Sequence, residues 1–588
     1  MPVRAFPSVS TISKLNISSP VKVFNCYNKS MKRFSVIILL FFLSFAAPSL
    51  AMTEKEVKSF TSLSPSSPIS YLLFLQKYPD SPFEKTVKEM FIDSIFQSGN
   101  YSDFADIGFD DIDDFYKLEL ARIYRKRGLE EEAQKIYREV FSRTNSYDEQ
   151  ILIDNAGNTA FLTGNQTVIA NKIWFAIKRR NFEIARFYLS LLPPDNRFYL
   201  YFKGVILYKT GKYREAVFCF ENSSIPEALF FRLLLERNPF KKIELLRKLI
   251  ASDAKRNFKI SGIRITLNKL LVTNLPLFKL ALEGVKSFDY NLYKEYLAKY
   301  YINVGQFIKA LSILKTLNTE FGRGLSAAIE KTVLGEEVKL ANNSFYKFIL
   351  TGKGPAVKFE KPSVSMIKDE GLRYIIKSKK YFLLNFLDLS RFSPFDSAVA
   401  CYFAGRFRDG IKFASKAVAS VSPEKRNVLY TILYPAPSMF KNSVVTLSIA
   451  RQESLFDPGA FSRSGAIGYM QIMPSTGKHI ASVMGDDFNV SDLYDEKVNI
   501  SYGAFYIKKL IKEFGSLPVA AAAYNAGPGR IARLLKLYGG VDSNGEFVLF
   551  VDAFLPLDET RNYVKRVVSN CFFYSKRFGL KNNICRVK

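Results

Sequence analysis

One glutamate in the C-terminal third of the chain is a candidate general acid, and the alternative is a helix-end charge that reaches solvent. Glu453 ends a predicted helix over residues 443–453, and the residues three and four positions before it, Ala450 and Ile449, are apolar. Residues at these spacings share one face of a helix. Because apolar surroundings disfavour the charged form of a carboxyl, we expect the pKa of Glu453 to be raised. Such a group can donate a proton near neutral pH.

Three segments that follow could hold a sugar-like ligand. Residues 462–474 combine two glycines, which permit close backbone approach, with methionines and Gln471, whose amide both donates and accepts hydrogen bonds. A slim predicted helix then ends in Tyr524 and Asn525 at a tight turn. Residues 556–564 place Glu559 close to an arginine before the last helix. Hydrogen-bonding groups next to apolar walls suit a ligand with polar groups and apolar faces.

The composition limits which groups can do the chemistry. The 588 residues are 48% hydrophobic and 24% charged, which is typical of a soluble globular protein with several domains. This excludes a polytopic membrane protein, a collagen-like chain and a wholly disordered chain. The single histidine, His479, excludes multi-histidine metal sites and leaves acid–base work to carboxylates. We expect no metal and no cofactor.

The charge predicts an anionic partner. Lys and Arg number 84 against 55 Asp and Glu, a net charge of +29. The basic residues are spread over many predicted helices, so no segment has the character of a nucleic-acid-binding arm. We therefore expect an anionic partner that is a lipid surface or an acidic polymer, and no nucleic acid.

The N-terminal region predicts export. Residues 31–51 contain a basic start, an apolar run over 34–47 and a small-residue cleavage site, the pattern of a signal peptide. The run is shorter than the roughly 20 apolar residues that span a membrane. Residues 1–30 precede a complete signal, and we interpret them as an upstream mis-start. No cysteine follows Ala51, so a lipid anchor is not expected.

The remaining cysteines form no disulfide framework. Four lie beyond the predicted signal, and none has the spacing of a metal site. Cys571 and Cys585 are close enough in sequence to form a bridge, or they remain thiols like the others.

Residues 52–430 have helical periodicity and a loose repeat. A small or basic turn residue is followed five positions later by Ala or Gly, as in helix–turn–helix hairpins of the tetratricopeptide type. The instances begin at Gly128, Arg180, Gly211, Gly305 and Gly405. Their spacing is uneven, so the pattern favours a degenerate α-helical superhelix over a regular array, with an ordinary helical bundle as the alternative.

A proline-containing break at residues 434–437 opens a second domain, 434–588, whose motifs resemble a known family. The motifs, in order, are Glu453-Ser454, Gly468-Tyr469-Met470-Gln471, Asn499-Ile500 with Gly503 and Tyr506, Ala523-Tyr524-Asn525-Ala526-Gly527, and Glu559-Thr560-Arg561-Asn562-Tyr563-Val564. Their order and spacing resemble the soluble lytic transglycosylases. The resemblance implies a mostly α protein, with a superhelix followed by a lysozyme-like catalytic domain.

The resemblance also implies roles for individual residues. Glu453 corresponds to the family's sole catalytic acid–base. Residues expected to bind substrate are Gln471, Met473, Tyr524, Asn525, Ser464, Tyr469 and Glu559, the last as a second, non-catalytic glutamate. Two departures stand out. Tyr469 replaces the usual Leu, so it reshapes a subsite or fills the core, and residues 550–553 lack the usual Trp and Glu.

The implied reaction is non-hydrolytic cleavage of peptidoglycan strands in the periplasm, with formation of 1,6-anhydromuramic acid ends. An association with the cell wall or with envelope machinery is compatible with this. The first alternative is hydrolysis of the goose-type lysozyme kind, for which Asp457 is the best candidate base. The second is a scaffold with a decayed catalytic domain, against which the retained Glu453, Gln471, Tyr524 and Asn525 argue.

Overall fold

The computed structural model describes residues 52–63, 68–98, 112, 114–143, 166–338, 340, 345–441, 443–462 and 464–587. The predicted signal peptide at 31–51 and the segment 1–30 lie outside these residues. Within them, β structure is limited to two isolated bridges, Phe461–Ile467 and Ile467–Ile472. No helix in the described part of the chain combines the length and apolar character that a membrane span requires. The predicted mostly α architecture is confirmed.

The described residues form 28 α-helices. In chain order these are α1 Glu54–Thr61, α2 Pro68–Lys77, α3 Glu84–Ser98, α4 Asp114–Lys126, α5 Glu130–Arg143, α6 Gln166–Lys178, α7 Phe182–Ser190, α8 Tyr199–Lys209, α9 Tyr213–Glu221, α10 Ala228–Leu235, α11 Pro239–Ala251, α12 Arg256–Thr273, α13 Leu275–Glu283, α14 Tyr290–Asn303, α15 Phe307–Leu314, α16 Glu320–Val333, α17 Phe345–Thr351, α18 Glu370–Lys377, α19 Pro394–Phe403, α20 Phe407–Ala417, α21 Pro423–Leu433, α22 Val444–Glu453, α23 Pro474–Met484, α24 Glu496–Phe514, α25 Leu517–Ala526, α26 Pro528–Tyr538, α27 Asn544–Leu549 and α28 Asp558–Arg577. A π-helical turn, Phe550–Phe554, follows α27.

The predicted repeat corresponds to five helical hairpins. The pairs are α4–α5, α6–α7, α8–α9, α14–α15 and α19–α20. Each turn residue lies in the left-handed region, with φ between 60° at Arg180 and 85° at Gly211. This backbone conformation favours glycine, which occupies four of the five turns. The Ala five positions later has no exposed surface in the first four hairpins, because it lies where the paired helices touch.

The end of the helical array packs against its beginning. The backbone N–H of Met52 donates to Asp369 Oδ2 at 2.8 Å, and Arg391 donates to the Ser81 carbonyl at 2.9 Å. Helix α1 lies against α18, more than 300 residues further along the chain. The array therefore returns to its own start.

The C-terminal region packs directly on the array. The phenol of Tyr346, on α17, donates to Asp552 Oδ2 at 2.7 Å, and Asp552 also pairs with Lys565 at 2.7 Å. Phe348 and Phe572 bring their rings within 4.4 Å. One hydrophobic cluster in the described residues accordingly runs from Met52 to Val587.

Residues 585 and 586 contact both the C-terminal region and the helical array. Cys571 on α28 and Cys585 form a disulfide, with their Cα atoms 5.6 Å apart. The next residue, Arg586, donates to the carbonyls of Ile349 and Leu350 at the end of α17. A cation at this position is favoured because the last carbonyls of a helix have no partner within it.

Candidate active site

Glu453 lies at the C-terminal end of α22. Ser443 caps the start of this helix, its side chain accepting from the backbone N–H of Thr446. Leu447, Ile449 and Ala450 have no exposed surface, so the helix is buried on one face. The predicted helix 443–453 is confirmed within one residue. Its last turn carries Glu453 to the edge of the core, where the side chain is half-buried.

The carboxyl of Glu453 has one close polar partner on the last helix. Tyr563, on α28, donates its phenol to Glu453 Oε1 at 2.7 Å. Burial raises the pKa of Glu453 to about 7, the Tyr563 hydrogen bond opposes the rise, and the nearby charge of Glu559 adds to it. The upward shift expected from an apolar helix face is therefore present. The same burial and the proximity of Glu453 raise the pKa of Tyr563, so the phenol keeps its proton.

A tight loop formed by residues 460–462 and 464–472 carries Gln471. The backbone of Gln471 is left-handed, with φ of 48°. Its amide nitrogen donates to the carbonyls of Ala460 and Gly468, both at 2.9 Å. These bonds fix the amide nitrogen inside the loop, so the oxygen is the part of the side chain that can take a ligand donor.

Asn499 supports this loop from beneath. Its side chain accepts from the Met470 N–H at 2.9 Å and donates to the Ile467 and Leu493 carbonyls at 2.9 and 2.8 Å. The side chain is 1% exposed. Gly468 leaves no room for a Cβ because Asn499 fills that space. Asn499 is thus a scaffold residue of the loop.

Tyr524 and Asn525 tie α25 to the loop and to α28. Tyr524 donates its phenol to the Met470 carbonyl at 2.8 Å. Thr560 donates to Asn525 Oδ1 at 2.7 Å, which places the Asn amide beside Glu559. Burial, then the charge of Glu453, raises the pKa of Tyr524 well above its usual value. Tyr524 therefore lies close to Glu453 as a neutral phenol.

Glu559 is exposed at the start of α28. It borders a cleft of about 940 Å³ between the C-terminal region and helix α12 of the array. Lys269, Arg530 and Arg533 line the same cleft. The neighbouring Asp558 is held by Arg561 and by Asn268 at 3.2 Å.

The other predicted ligand contacts lie at different depths. Ser464 is exposed, and Met473 is 37% exposed directly after the loop. Tyr469 is only 6% exposed, and its ring meets that of Phe440 edge-on at 5.6 Å. Of the two alternatives for Tyr469, the structure favours the core. Burial and the nearby Glu496 raise the pKa of Tyr469 to about 12.

Asp457, the candidate base of a hydrolytic reaction, is engaged elsewhere. It pairs with Arg408 of helix α20, and its Oδ1 accepts from the Gly459 N–H at 3.0 Å. A carboxylate held by a guanidinium and by backbone is poorly placed to activate water.

Two residues with notable contacts in the structure, Tyr563 and Asp552, were assigned no role by the sequence. Tyr563 belongs to the last of the five motifs, but its partner Glu453 lies 110 residues earlier in the chain. No local sequence pattern shows this contact. Asp552 lies in the segment that lacks the usual Trp and Glu, and it joins Lys565 to Tyr346 of the array.

Comparisons with known proteins agree with this geometry. The family model described as "Transglycosylase SLT domain" matches residues 440–545. A soluble lytic murein transglycosylase of Salmonella typhimurium is 38% identical over 139 residues, which is 23% of this chain and 21% of that protein. The membrane-bound lytic murein transglycosylase D of Escherichia coli is 32% identical over 132 residues, 22% of this chain and 28% of that protein. The chain thus aligns with about a fifth of the length of its first curated relatives.

The likeness in fold extends over almost the whole chain. The crystal structure of the 70 kDa soluble lytic transglycosylase from Escherichia coli superposes with a TM-score of 0.54 and 18% identity, covering 96% of this chain and 97% of that one. The lytic transglycosylase Slt from Pseudomonas aeruginosa gives the same TM-score and identity and covers 95% of its own chain.

The chain therefore consists of a helical superhelix followed by a lysozyme-like domain. This second domain contains the half-buried Glu453. Residues 440–545 thus match the SLT domain, and the chain shares its fold with solved soluble lytic transglycosylases.

Proposed function

We propose that this protein is a peptidoglycan lytic transglycosylase. It cleaves the β-1,4 bond between N-acetylmuramic acid and N-acetylglucosamine without water and leaves 1,6-anhydromuramic acid ends, in turnover and remodelling of the cell wall. The observation that carries the proposal is the half-buried Glu453, with a pKa of about 7 and Tyr563 at 2.7 Å. The SLT domain around it supports the substrate class.

The proposed reaction uses one carboxyl twice. Protonated Glu453 gives its proton to the glycosidic oxygen, and the bond from that oxygen to C1 of the muramic acid breaks. The 2-acetamido group stabilises the positive charge that develops at C1. The Glu453 carboxylate then takes the proton of the sugar's own 6-hydroxyl while O6 bonds to C1. The carboxyl ends protonated, and the reaction consumes no water.

In this proposal the other side chains bind the glycan strand and orient it relative to Glu453. Tyr563 holds one carboxyl oxygen, so the other oxygen is the one that faces substrate. Tyr524 and Gln471 fix the loop beside it, and Asn525, Met473, Ser464 and Glu559 offer contacts to the glycan. Tyr469 acts from beneath as a core residue. Hydrolysis is disfavoured because Asp457 pairs with Arg408.

We also propose export to the periplasm by the signal-like segment 31–51. A cell-wall substrate requires an extracytoplasmic location, as implied by the lytic murein transglycosylase relatives. Peripheral association with the cell wall or with envelope machinery is part of the same proposal, and the net charge of +29 supports attraction to an anionic wall.

Mass spectrometry of digested sacculi tests the reaction. The wild-type chain is expected to release fragments with anhydro ends, whereas hydrolysis would give reducing ends. Glu453→Gln should lower turnover by at least about 10²–10⁴-fold, because general acid catalysis is lost. Binding of glycan strands should remain, since the amide has the same shape.

The matched control is Glu513→Gln, the same change at an exposed position of helix α24. It should leave activity unchanged. Reducing ends from the wild-type chain, or normal turnover by Glu453→Gln, would overturn the proposal.

A further inference from the structure

The catalytic helix ends in a strained turn. Directly after Glu453 and Ser454, the residues Leu455 and Phe456 have φ of 54° and 61°. Bulky residues rarely adopt positive φ, and two in succession persist only when their surroundings hold them. Phe456 is 3% exposed, so its side chain is held in a packed site.

The packed site of Phe456 is built partly by the helical array. The ring of Phe407, the first residue of α20, lies 6.4 Å from the Phe456 ring at 73°. Phe440 closes the other side at 5.3 Å and 84°. The next residue of α20, Arg408, pairs with Asp457, which directly follows Phe456. Phe407 and Arg408, adjacent residues of α20, therefore contact Phe456 and Asp457, adjacent residues of the turn.

The turn is also connected to the ligand loop. The Asp457 N–H donates to Ser454 Oγ at 3.3 Å, and Ser454 Oγ donates to the Tyr469 carbonyl at 2.9 Å. A displacement of Asp457 would therefore reach Ser454, the residue that follows Glu453.

We infer that Phe407 and Arg408 of the array are positioning residues for Glu453. They hold the strained turn that ends α22, and so they keep the Glu453 carboxyl directed at Tyr563. This inference rests on the proposed function, and it gives the last hairpin of the array a part in the chemical step. The hairpin is the fifth of the predicted repeat, and Phe407 and Arg408 begin its second helix.

The groups that face the Glu453 carboxyl predict how its titration would respond. Tyr563 and Glu559 on α28 and Tyr524 on α25 are its titratable neighbours. If the turn relaxes, the carboxyl moves toward water, which reduces the burial that raises its pKa. The Tyr563 hydrogen bond, which opposes that rise, is weakened as well, but burial is the larger of the two effects, so the pKa of Glu453 falls. The alkaline limb of the kcat profile, which reports loss of the protonated acid, then moves to lower pH.

The experiment uses the full-length chain with Phe407→Ala, Arg408→Met and the double variant, assayed on soluble glycan strands. A displacement of about 1 Å at a catalytic group costs up to about 10²-fold in rate, so we expect kcat of the double variant to fall about tenfold. KM should change less than twofold, and the alkaline limb should move to lower pH. Arg408→Lys, which keeps the ion pair, should retain most of the activity.

A double-mutant cycle tests the ion pair itself. Asp457→Asn removes the charge but keeps an oxygen for the Gly459 N–H. Arg408→Met combined with Asp457→Asn should be no worse than either change alone, because partners of one contact are not additive. Lys412→Ala, one turn along α20 and beside Asp409 at 3.8 Å, is the control that should leave kcat unchanged.

Three outcomes would overturn the inference: unchanged kcat and pH profile in a folded double variant, a rise in KM alone, or a lower melting temperature with kcat per folded molecule unchanged. Failure of the proposed function would give a different result, because the wild-type chain would then release no anhydro product.

Discussion

At Glu453, burial and hydrogen bonding act on the carboxyl in opposite directions. Burial dominates and raises the pKa to about 7, while the bond from Tyr563 stabilises the charged form. The balance keeps the acid protonated near neutral pH and still allows the carboxylate to form during the reaction. One residue can thus act first as acid and then as base.

The raised pKa predicts a pH-dependent cost of folding. In the unfolded chain Glu453 should titrate near its ordinary value of 4.5, and in the folded chain near 7. Below the lower value both states are protonated, and above the higher value the folded state carries a poorly solvated charge. Stability of the wild-type chain is therefore lost as pH rises between the two values. We expect Glu453→Gln to be more stable than wild type at pH 8.5 and equal to it at pH 4.

Because Glu453 is half-buried and not fully buried, solvent screens part of this effect, and the expected gain in the free energy of unfolding is ~1–2 kcal/mol. Thermal melting followed by circular dichroism across pH measures it. The control Glu513→Gln should show no such trend. An equal effect of Glu453→Gln at both pH values would contradict the assignment of a raised pKa.

Tyr563→Phe should alter both the rate and the pH profile. Without the phenol the Glu453 carboxylate loses its hydrogen bond, so the pKa of Glu453 rises further and the alkaline limb of kcat moves to higher pH. The carboxyl also loses its fixed orientation, and we expect kcat to fall about tenfold. A kcat profile over pH 5–9 is the measurement.

The matched control is Tyr524→Phe, which removes a half-buried phenol of the same site. Its hydroxyl serves the Met470 carbonyl and not Glu453. We expect lower activity, by about 1 kcal/mol in the activation free energy, with the alkaline limb unmoved. Identical profiles for the two variants would show that Tyr563 has no special relation to the acid.

At the residue scale the sequence predicted the raised pKa of Glu453 but not the hydrogen-bond partner of its carboxyl. An apolar helix face around Glu453 is a local pattern, and it correctly predicted the raised pKa. The Tyr563 contact joins residues 110 positions apart, so it depends on the tertiary packing of α22 against α28. Tyr469 was ambiguous for the same reason, because a Tyr beside glycines fits a subsite or a core equally well until its surroundings are known.

At the scale of elements, the buried side-chain amide of Asn499 supports the loop that carries Gln471. Asn499→Ala would leave the Met470 N–H and the carbonyls of Ile467 and Leu493 without this partner. Unpaired buried groups cost roughly 1–3 kcal/mol each, and some relaxation is expected. We predict a loss of about 3 kcal/mol in the free energy of unfolding, together with weaker glycan binding.

Asn489→Ala is the comparison for this change. Asn489 caps a short exposed helix in the same region, and losing a cap costs about 1 kcal/mol. Thermal melting and glycan binding of the two variants separate loop support from a general loss of an Asn side chain. If Asn499→Ala behaves like Asn489→Ala, the loop is held by other contacts.

The hairpins show what sequence periodicity can predict. The turn residues and the Ala five positions later are local requirements of helix pairing, and all five predicted hairpins are present. The return of the array to its own start is different in kind. It depends on contacts such as Met52 with Asp369, and an apolar helix face does not specify which distant face will cover it.

At the scale of the whole molecule, the two predicted parts share one core. At residues 434–437 the local structure changes, because α21 ends at Leu433 and α22 begins at Val444. Yet the stacked rings of Tyr434 and Phe573 lie 4.4 Å apart, and the main hydrophobic cluster extends across this break. The helical array therefore packs against the C-terminal region and shares its core, in addition to preceding it in the chain.

The array is also strongly basic where it approaches the site. Residues 239–283, which form α11 to α13, contain 10 Lys and Arg but 3 Asp and Glu. Lys269 of this stretch borders the cleft that Glu559 also lines. If murein is the substrate, its peptide-stem carboxylates should be attracted to this surface, and the attraction between exposed charges should be screened by salt.

Changing four exposed lysines of this stretch to Gln, at positions 241, 248, 255 and 279, tests the attraction. The full-length variant should bind insoluble sacculi more weakly than wild type at 0.1 M salt, where the Debye length is about 10 Å, and equally at 1 M, where it is about 3 Å. The matched control changes four exposed lysines of the C-terminal region, at positions 508, 509, 512 and 536. Equal weakening by both sets would mean that only total charge matters. Salt-insensitive binding by wild type would mean that the basic surface of the array has no electrostatic part in holding the wall.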